Sequence, residues 1–149
     1  MTPRRAAGVP GWQLREMTLA DYGEVLALWR GTEGIGLSAS DERAAVGAYL
    51  ARNPGMSFVA LAGGRIVGAV LAGHDGRRGC LHHLAVLPSW RHRGIGRALV
   101  EASLDRLAAA GMLKCNLFLF DANEAGRAFW EKVGWSARAD LVVMQRPLA

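Results

Sequence analysis

The stretch "LHHLAVLPSWRHRGIGRAL", residues 81–99, changes character halfway along. Together with Cys80, its first seven residues form a mostly apolar run that Pro88 ends, as expected of a strand. From Gly94 to Ala110 the apolar residues recur at helical spacing, and Gly111 stops the pattern. Between strand and helix stand Arg91 and Arg93, with Gly94, Gly96 and Arg97 opening the helix. A helix that begins here directs unpaired amide N–H groups, carrying roughly half a positive charge, at whatever lies in front of it. Glycines let an anion approach those amides and the arginines add charge, so a phosphate is the natural occupant. Each amide bond to a charged oxygen is worth about 1.5–3 kcal/mol, and several together would dominate binding of a diphosphate.

Working outward, "DGRRG" (75–79) is a turn, and before it "MSFVALA" and "RIVGAVLAG" flank Gly63-Gly64, the two-residue turn of a β-hairpin. Further upstream, Trp12–Met17 alternates like a first strand. Thr18, with Asp21 three residues on, then starts a helix that carries Leu19, Tyr22, Leu26 and Trp29 as far as Arg30. Residues 31–40 form a loop, and a second helix begins near Ser40 or Asp41 and stops before Asn53-Pro54-Gly55. Downstream, Leu113–Phe120 reads as a strand, Asn123–Val133 as a helix closed by Gly134, and Ala139–Gln145 as a last strand. The order βααβββαβαβ predicts one α/β domain over residues 1–149, with a mixed, mostly antiparallel sheet containing one parallel pair and flanking helices.

With 51% hydrophobic residues in 149, the chain has material for a substantial core. No apolar run reaches the roughly 20 residues that span a bilayer, and Met1–Gly11 lacks the apolar centre of a secretory leader. A soluble, cytoplasmic protein is the expectation. Cys80 and Cys115 lie in apolar stretches and read as buried free thiols. The net charge of +5 is concentrated: Arg77, Arg78, Arg91, Arg93, Arg97 and all four histidines fall between His74 and Arg97, against the single acid Asp75. That window suits an anionic partner. A Walker A loop is excluded because no Gly-Lys pair occurs, and the dinucleotide pattern fails because Leu99 holds its third glycine position. Nucleic acid is the least favoured partner, since the basic residues converge on one helix start without an interleaved aromatic platform. No metal site is expected.

The stretch quoted above resembles the acyl-CoA-binding motif of the GCN5-related N-acetyltransferase superfamily. The shared features are a strand ending in an Ala-Val pair, a nearby proline, then Arg-x-x-Gly-x-Gly entering a helix, here Arg91, Gly94 and Gly96. "NEAGRAFWEKVGW" (123–135) is similar to the superfamily's next helix, and the element order matches along essentially the whole chain. Among branches it looks closest to the bacterial single-domain relatives of ribosomal-protein alanine acetyltransferases. The resemblance implies acetyl-CoA as co-substrate. Its diphosphate would lie on the backbone of Arg91, His92, Arg93, Gly94, Ile95, Gly96 and Arg97, and its pantetheine arm along Leu84, Ala85 and Val86. Asn123 and Trp130 would approach the arm from the far helix, and a Val86 N–H would polarise the thioester carbonyl.

The implied reaction is acetyl transfer to an amine, which needs a base because an ammonium cannot attack a thioester. His83 is the first candidate and His82 the second, and strand alternation sends their rings to opposite faces. Glu33, in the loop after the first helix, is the rival base or an amine-binding carboxylate; with Asp41 and Glu42 it would suit a cationic acceptor. Relatives often carry a tyrosine where Trp130 stands, to protonate the departing thiolate. An indole N–H is too weak an acid for that. Three alternatives stand: water takes over the task, the thiolate leaves unassisted, or the chain is an acyl-CoA-binding domain of weak activity. Many relatives dimerise through the C-terminal strand, so a homodimer is a further expectation.

Overall fold

The computed structural model describes residues 11–149, so the expectation about a leader in residues 1–10 lies outside the described residues. Two compact units divide the chain, one ending at Phe118 and the other covering Leu119–Ala149.

The first unit is built on a five-stranded sheet of order β1-β2-β3-β4-β5: β1 (Gln13–Glu16), β2 (Phe58–Ala62), β3 (Arg65–His74), β4 (Gly79–Val86) and β5 (Cys115–Leu117). The first four strands run antiparallel, and β5 is parallel to β4. Gly63 and Gly64 make the β2–β3 turn with φ of +57° and +76°, values that side chains disfavour. The central strand β3 is buried along eight consecutive residues because helices cover both faces. On one face lie α1 (Tyr22–Arg30), which buries Val25, Leu28 and Trp29, and α2 (Arg43–Arg52), which buries Val46. On the other lies α3 (Ile95–Ala109), turning Ile95, Leu99, Val100, Ser103 and Leu107 inward. Gly68 of β3 admits this helix closely, since a methyl group there would sit 3.0 Å from Ile95 and 3.1 Å from Leu99.

Thr18 and Asp21 start the first helical segment as a short 3-10 turn, with the Thr18 N–H donating to Asp21 Oδ2 at 2.8 Å. The second helix begins at Arg43, not near Ser40: Ser38 and Asp41 cap a separate 3-10 turn, Ala39–Asp41, before it.

Two strand expectations need correction. Leu113–Phe120 gives only the three residues of β5, because β4 offers partners only at Gly79, Cys80 and Leu81 before its own backbone kinks away. Ala139–Gln145 forms no strand: its apolar pattern is present, but no strand among the described residues pairs with it, and Leu141, Val142, Val143 and Met144 stay exposed. The second unit contains one helix, α4 (Glu124–Lys132), capped by the Asn123 side chain, which accepts from the Gly126 N–H at 2.9 Å. Among the described residues, no helix is long and apolar enough to cross a membrane.

Candidate active site

The site grows from a fault in the β3–β4 ladder. Leu71 faces His82 and Ala69 faces Ala85, so the single residue Val70 stands opposite two, His83 and Leu84. The extra residue is accommodated at His83, whose φ of +53° is unusual for anything but glycine. This bulge corrects the expectation that the two histidine rings point to opposite faces. The His82 ring meets Tyr49 of α2 edge-on at 5.8 Å, while the His83 ring meets Trp29 of α1 edge-on at 4.9 Å. Both imidazoles therefore sit on the α1/α2 side, 6.2 Å apart.

His83 is held from three directions. Its Nε2 lies 2.8 Å from Asp41 Oδ1, its own carbonyl accepts from the Trp29 indole N–H at 3.1 Å, and its ring packs on that indole. Asp41 is itself buried, and its other oxygen accepts from the Ser38 N–H at 3.0 Å. A carboxylate fixed in this way can orient an imidazole and stabilise its protonated form. His82 differs: burial, then the charge of neighbouring His83, pulls it below the ordinary histidine range and favours the neutral ring. Glu33 is exposed in the loop after α1 and has no hydrogen bond or ion pair among the described residues. Asp41 is thus the acid the fold brings to the histidines. Its place near the start of the second helix was visible in the sequence, but its pairing across 42 positions was not.

Beyond the bulge, the Leu87 N–H donates to Val67 O at 2.8 Å, and Val86 stands opposite Gly68. In an antiparallel ladder that register turns the N–H and C=O of Val86 away from β3, toward the side where β5 has already ended. The Val86 carbonyl accepts from Arg91 Nε at 3.0 Å, leaving its N–H as a free donor aimed off the sheet. Leu84 and Ala85 complete this end of the strand.

The chain then makes a short 3-10 turn, Pro88–Trp90, and a loop in which His92 and Gly94 have φ of +61° and +82°. Gly94 caps α3. The helix's first internal hydrogen bond, from the Ala98 N–H to Gly94 O at 3.0 Å, leaves the amides of Ile95, Gly96 and Arg97 directed out of the helix end. Arg93 stacks over Trp90 at 4.6 Å, so of the three arginines here Arg91 and Arg93 brace the loop while Arg97 extends from it.

Asn123 and Trp130 belong to the second unit. There the Asn123 carbonyl oxygen caps α4, and the half-buried Trp130 ring makes edge contacts at 5.2 Å with both Phe129 and Trp135. Among the described residues no group of three or more His, Cys, Asp or Glu side chains could hold a metal ion.

Residues 22–135 match the model of the Acetyltransferase (GNAT) family. An acetyltransferase of Pectobacterium atrosepticum is 31% identical over 136 residues, covering 91% of this chain and 95% of that one. An acetyltransferase of Sodalis glossinidius is 29% identical over 136 residues, with the same coverage of 91% and 95%. In fold, the chain is similar to the PaiA N-acetyltransferase of Thermoplasma acidophilum, solved in complex with coenzyme A. The TM-score is 0.72 at 16% identity, over 86% of this chain and 91% of that one.

Proposed function

The chain belongs to the acetyltransferase (GNAT) family, and from that premise we propose that it moves the acetyl group of acetyl-CoA to the nitrogen of a primary amine. The observation that carries the proposal is the kink in β4. It frees the Val86 N–H from the ladder and, three residues earlier, sets His83 on Asp41.

The residues fit an acyl-CoA. The outward amides of Ile95, Gly96 and Arg97, with the loop from Arg91 through His92 and Arg93 to Gly94, would hold the diphosphate, and the Arg97 side chain adds charge. The unpaired edge of Leu84, Ala85 and Val86 offers a strand-like partner for the amides of the pantetheine arm. When bound, acetyl-CoA supplies the activated acetyl group that the amine attacks. The Val86 N–H polarises the carbonyl oxygen on which negative charge gathers. His83 removes the amine proton, and Asp41 keeps the ring aimed and stabilises the imidazolium that results. Of the three candidate bases, His83 is the one held by a buried carboxylate, whereas His82 turns to Tyr49 and Glu33 has no partner among the described residues.

We assign Asn123 and Trp130 to the coenzyme arm as part of the same proposal. Trp130 contributes a hydrogen-bond donor and a ring, and the thiolate, already a fair leaving group, takes its proton from water. The family match spans residues 22–135, which supports reading residues 1–149 as a single acetyltransferase domain in sequence. Two free thiols on neighbouring strands suit the reducing cytoplasm. The exposed apolar run Leu141–Met144 supports assembly as a homodimer.

The deciding experiment follows thiol release from acetyl-CoA against a panel of amines, alongside a thermal-shift titration with CoA. Amine-dependent release with CoA stabilisation is the expected result. Gly96→Glu should abolish that stabilisation, because its carboxylate enters the diphosphate position. Stabilisation without release from any amine would favour an acyl-CoA-binding domain.

A further inference from the structure

On the α1/α2 side of the sheet, with His82 in its wall, lies a cavity of about 380 Å³. Tyr49 and Arg52 of α2 line it, together with His74, Asp75 and Arg78 from the β3–β4 turn. Its lining is rich in donors. The Arg52 and Arg78 side chains make no hydrogen bond or ion pair among the described residues. His74 Nδ1 accepts from the Gly76 N–H at 3.0 Å, which places the neutral ring's proton on Nε2. Burial pushes the Tyr49 phenol up, so it keeps its O–H as a donor, and no hydrogen bond among the described residues uses that group. The one carboxylate, Asp75, already receives the Arg77 and Arg78 N–H groups at 2.8 Å each through Oδ1. Counting the arginines and the carboxylate alone, two guanidiniums face one acid, and the cavity keeps a positive charge.

We infer that this cavity seats an anionic group of the acceptor itself, so that the substrate is an amine bearing a carboxylate at its other end, such as an amino acid. The inference rests on His83 as the base: His82, in the cavity wall, lies 6.2 Å from it, so one small molecule can put its amine at His83 and its acid among Arg52, Arg78 and Tyr49. Polyamines and aminoglycosides are the wrong charge for this lining. The acids that would have welcomed them are otherwise placed, with Asp41 bound to His83 and Glu33 exposed outside the cavity.

The test compares β-alanine, 4-aminobutyrate and 6-aminohexanoate with their carboxamides and with putrescine as acceptors. At least one carboxylate should exceed its carboxamide by about tenfold or more in kcat/KM, and the double variant Arg52→Gln/Arg78→Gln should bring that ratio close to one. Carboxamides or putrescine used as well as the carboxylates, or a ratio that survives in the variant, would overturn the inference. A separate arm titrates the CoA-saturated protein calorimetrically with N-acetyl-4-aminobutyrate and with its amide. Selective binding of the acid, lost in the double variant, supports the cavity assignment even if no amine releases thiol and the transferase reading fails. Equal binding of acid and amide, or binding of neither, rejects it.

Discussion

His83 Nε2 and Asp41 Oδ1 stand 2.8 Å apart, joining a kinked strand to the turn before α2 and uniting two residues 42 positions apart in the chain. The titratable groups facing His83 are Asp41 and the neighbouring His82. Removing the imidazole as His83→Gln should lower kcat by about 100-fold or more while leaving CoA affinity nearly unchanged. Asp41→Asn keeps the side-chain shape and removes the charge. Loss of the carboxylate should therefore lower kcat by about tenfold or more while CoA affinity stays nearly unchanged. A fall in kcat that merely tracks an equal loss of thermal stability would mean that Asp41 serves the fold alone.

Trp29 is completely buried and its indole N–H is tied to the His83 carbonyl. Trp29→Phe should cost about 1–3 kcal/mol by leaving that carbonyl unpaired, measured by urea denaturation. Activity should fall further than stability alone accounts for, because the same bond secures the strained backbone at His83.

Gly94 adopts φ +82° at the cap of α3, with no atom of the described residues within 4 Å of where a methyl group would go. Gly94→Ala therefore meets backbone strain and no clash. About 1–2 kcal/mol of destabilisation in a thermal melt is expected, together with weaker CoA binding as the loop relaxes toward negative φ.

Arg15 makes a two-pronged ion pair with Asp21, at 2.8 Å to each oxygen. That contact, helped by the Thr18 N–H, holds the Asp21 carboxyl below the ordinary carboxylate value of 3.8. A group depressed on folding stabilises the protein above its unfolded value, and the contribution is lost as pH falls through its folded one. Arg15→Met should cost about 1 kcal/mol near neutrality, the Arg15 side chain being partly exposed, and the difference from wild type should shrink as pH falls below 3.8 and vanish only below the lower folded value. Paired urea titrations from about pH 7 downward through that range would check this.

The sequence is a good guide wherever structure is local. Gly63-Gly64, Pro88, Gly94 and Gly111 mark turns and helix ends through conformational preferences that a single residue carries, and the structure has each boundary within a few residues of its mark. The glycine loop of the candidate site is legible for the same reason. What escapes is pairing. Whether Val142 and Val143 lie in a strand depends on a neighbour, and whether His83 shares a face with His82 depends on where β3 and β4 slip past one another. The value of Asp41 likewise appears only once the 3-10 turn, strand and helix are folded together.

The bulge at His83 also changes phase along β4. Gly79 looks toward Leu107 of α3, and so does Val86 through its partner Gly68, whose open side meets Ile95 and Leu99 of the same helix, although one position is odd and the other even. The strand is thus two half-strands joined by a one-residue slip. The half that leads into the glycine loop and the half that walls the arginine cavity keep separate side-chain registers, and substitutions can accumulate in one without turning the other inside out. A lineage could exchange acceptors by rewriting Cys80–His82 and the turn before them while inheriting its coenzyme grip intact.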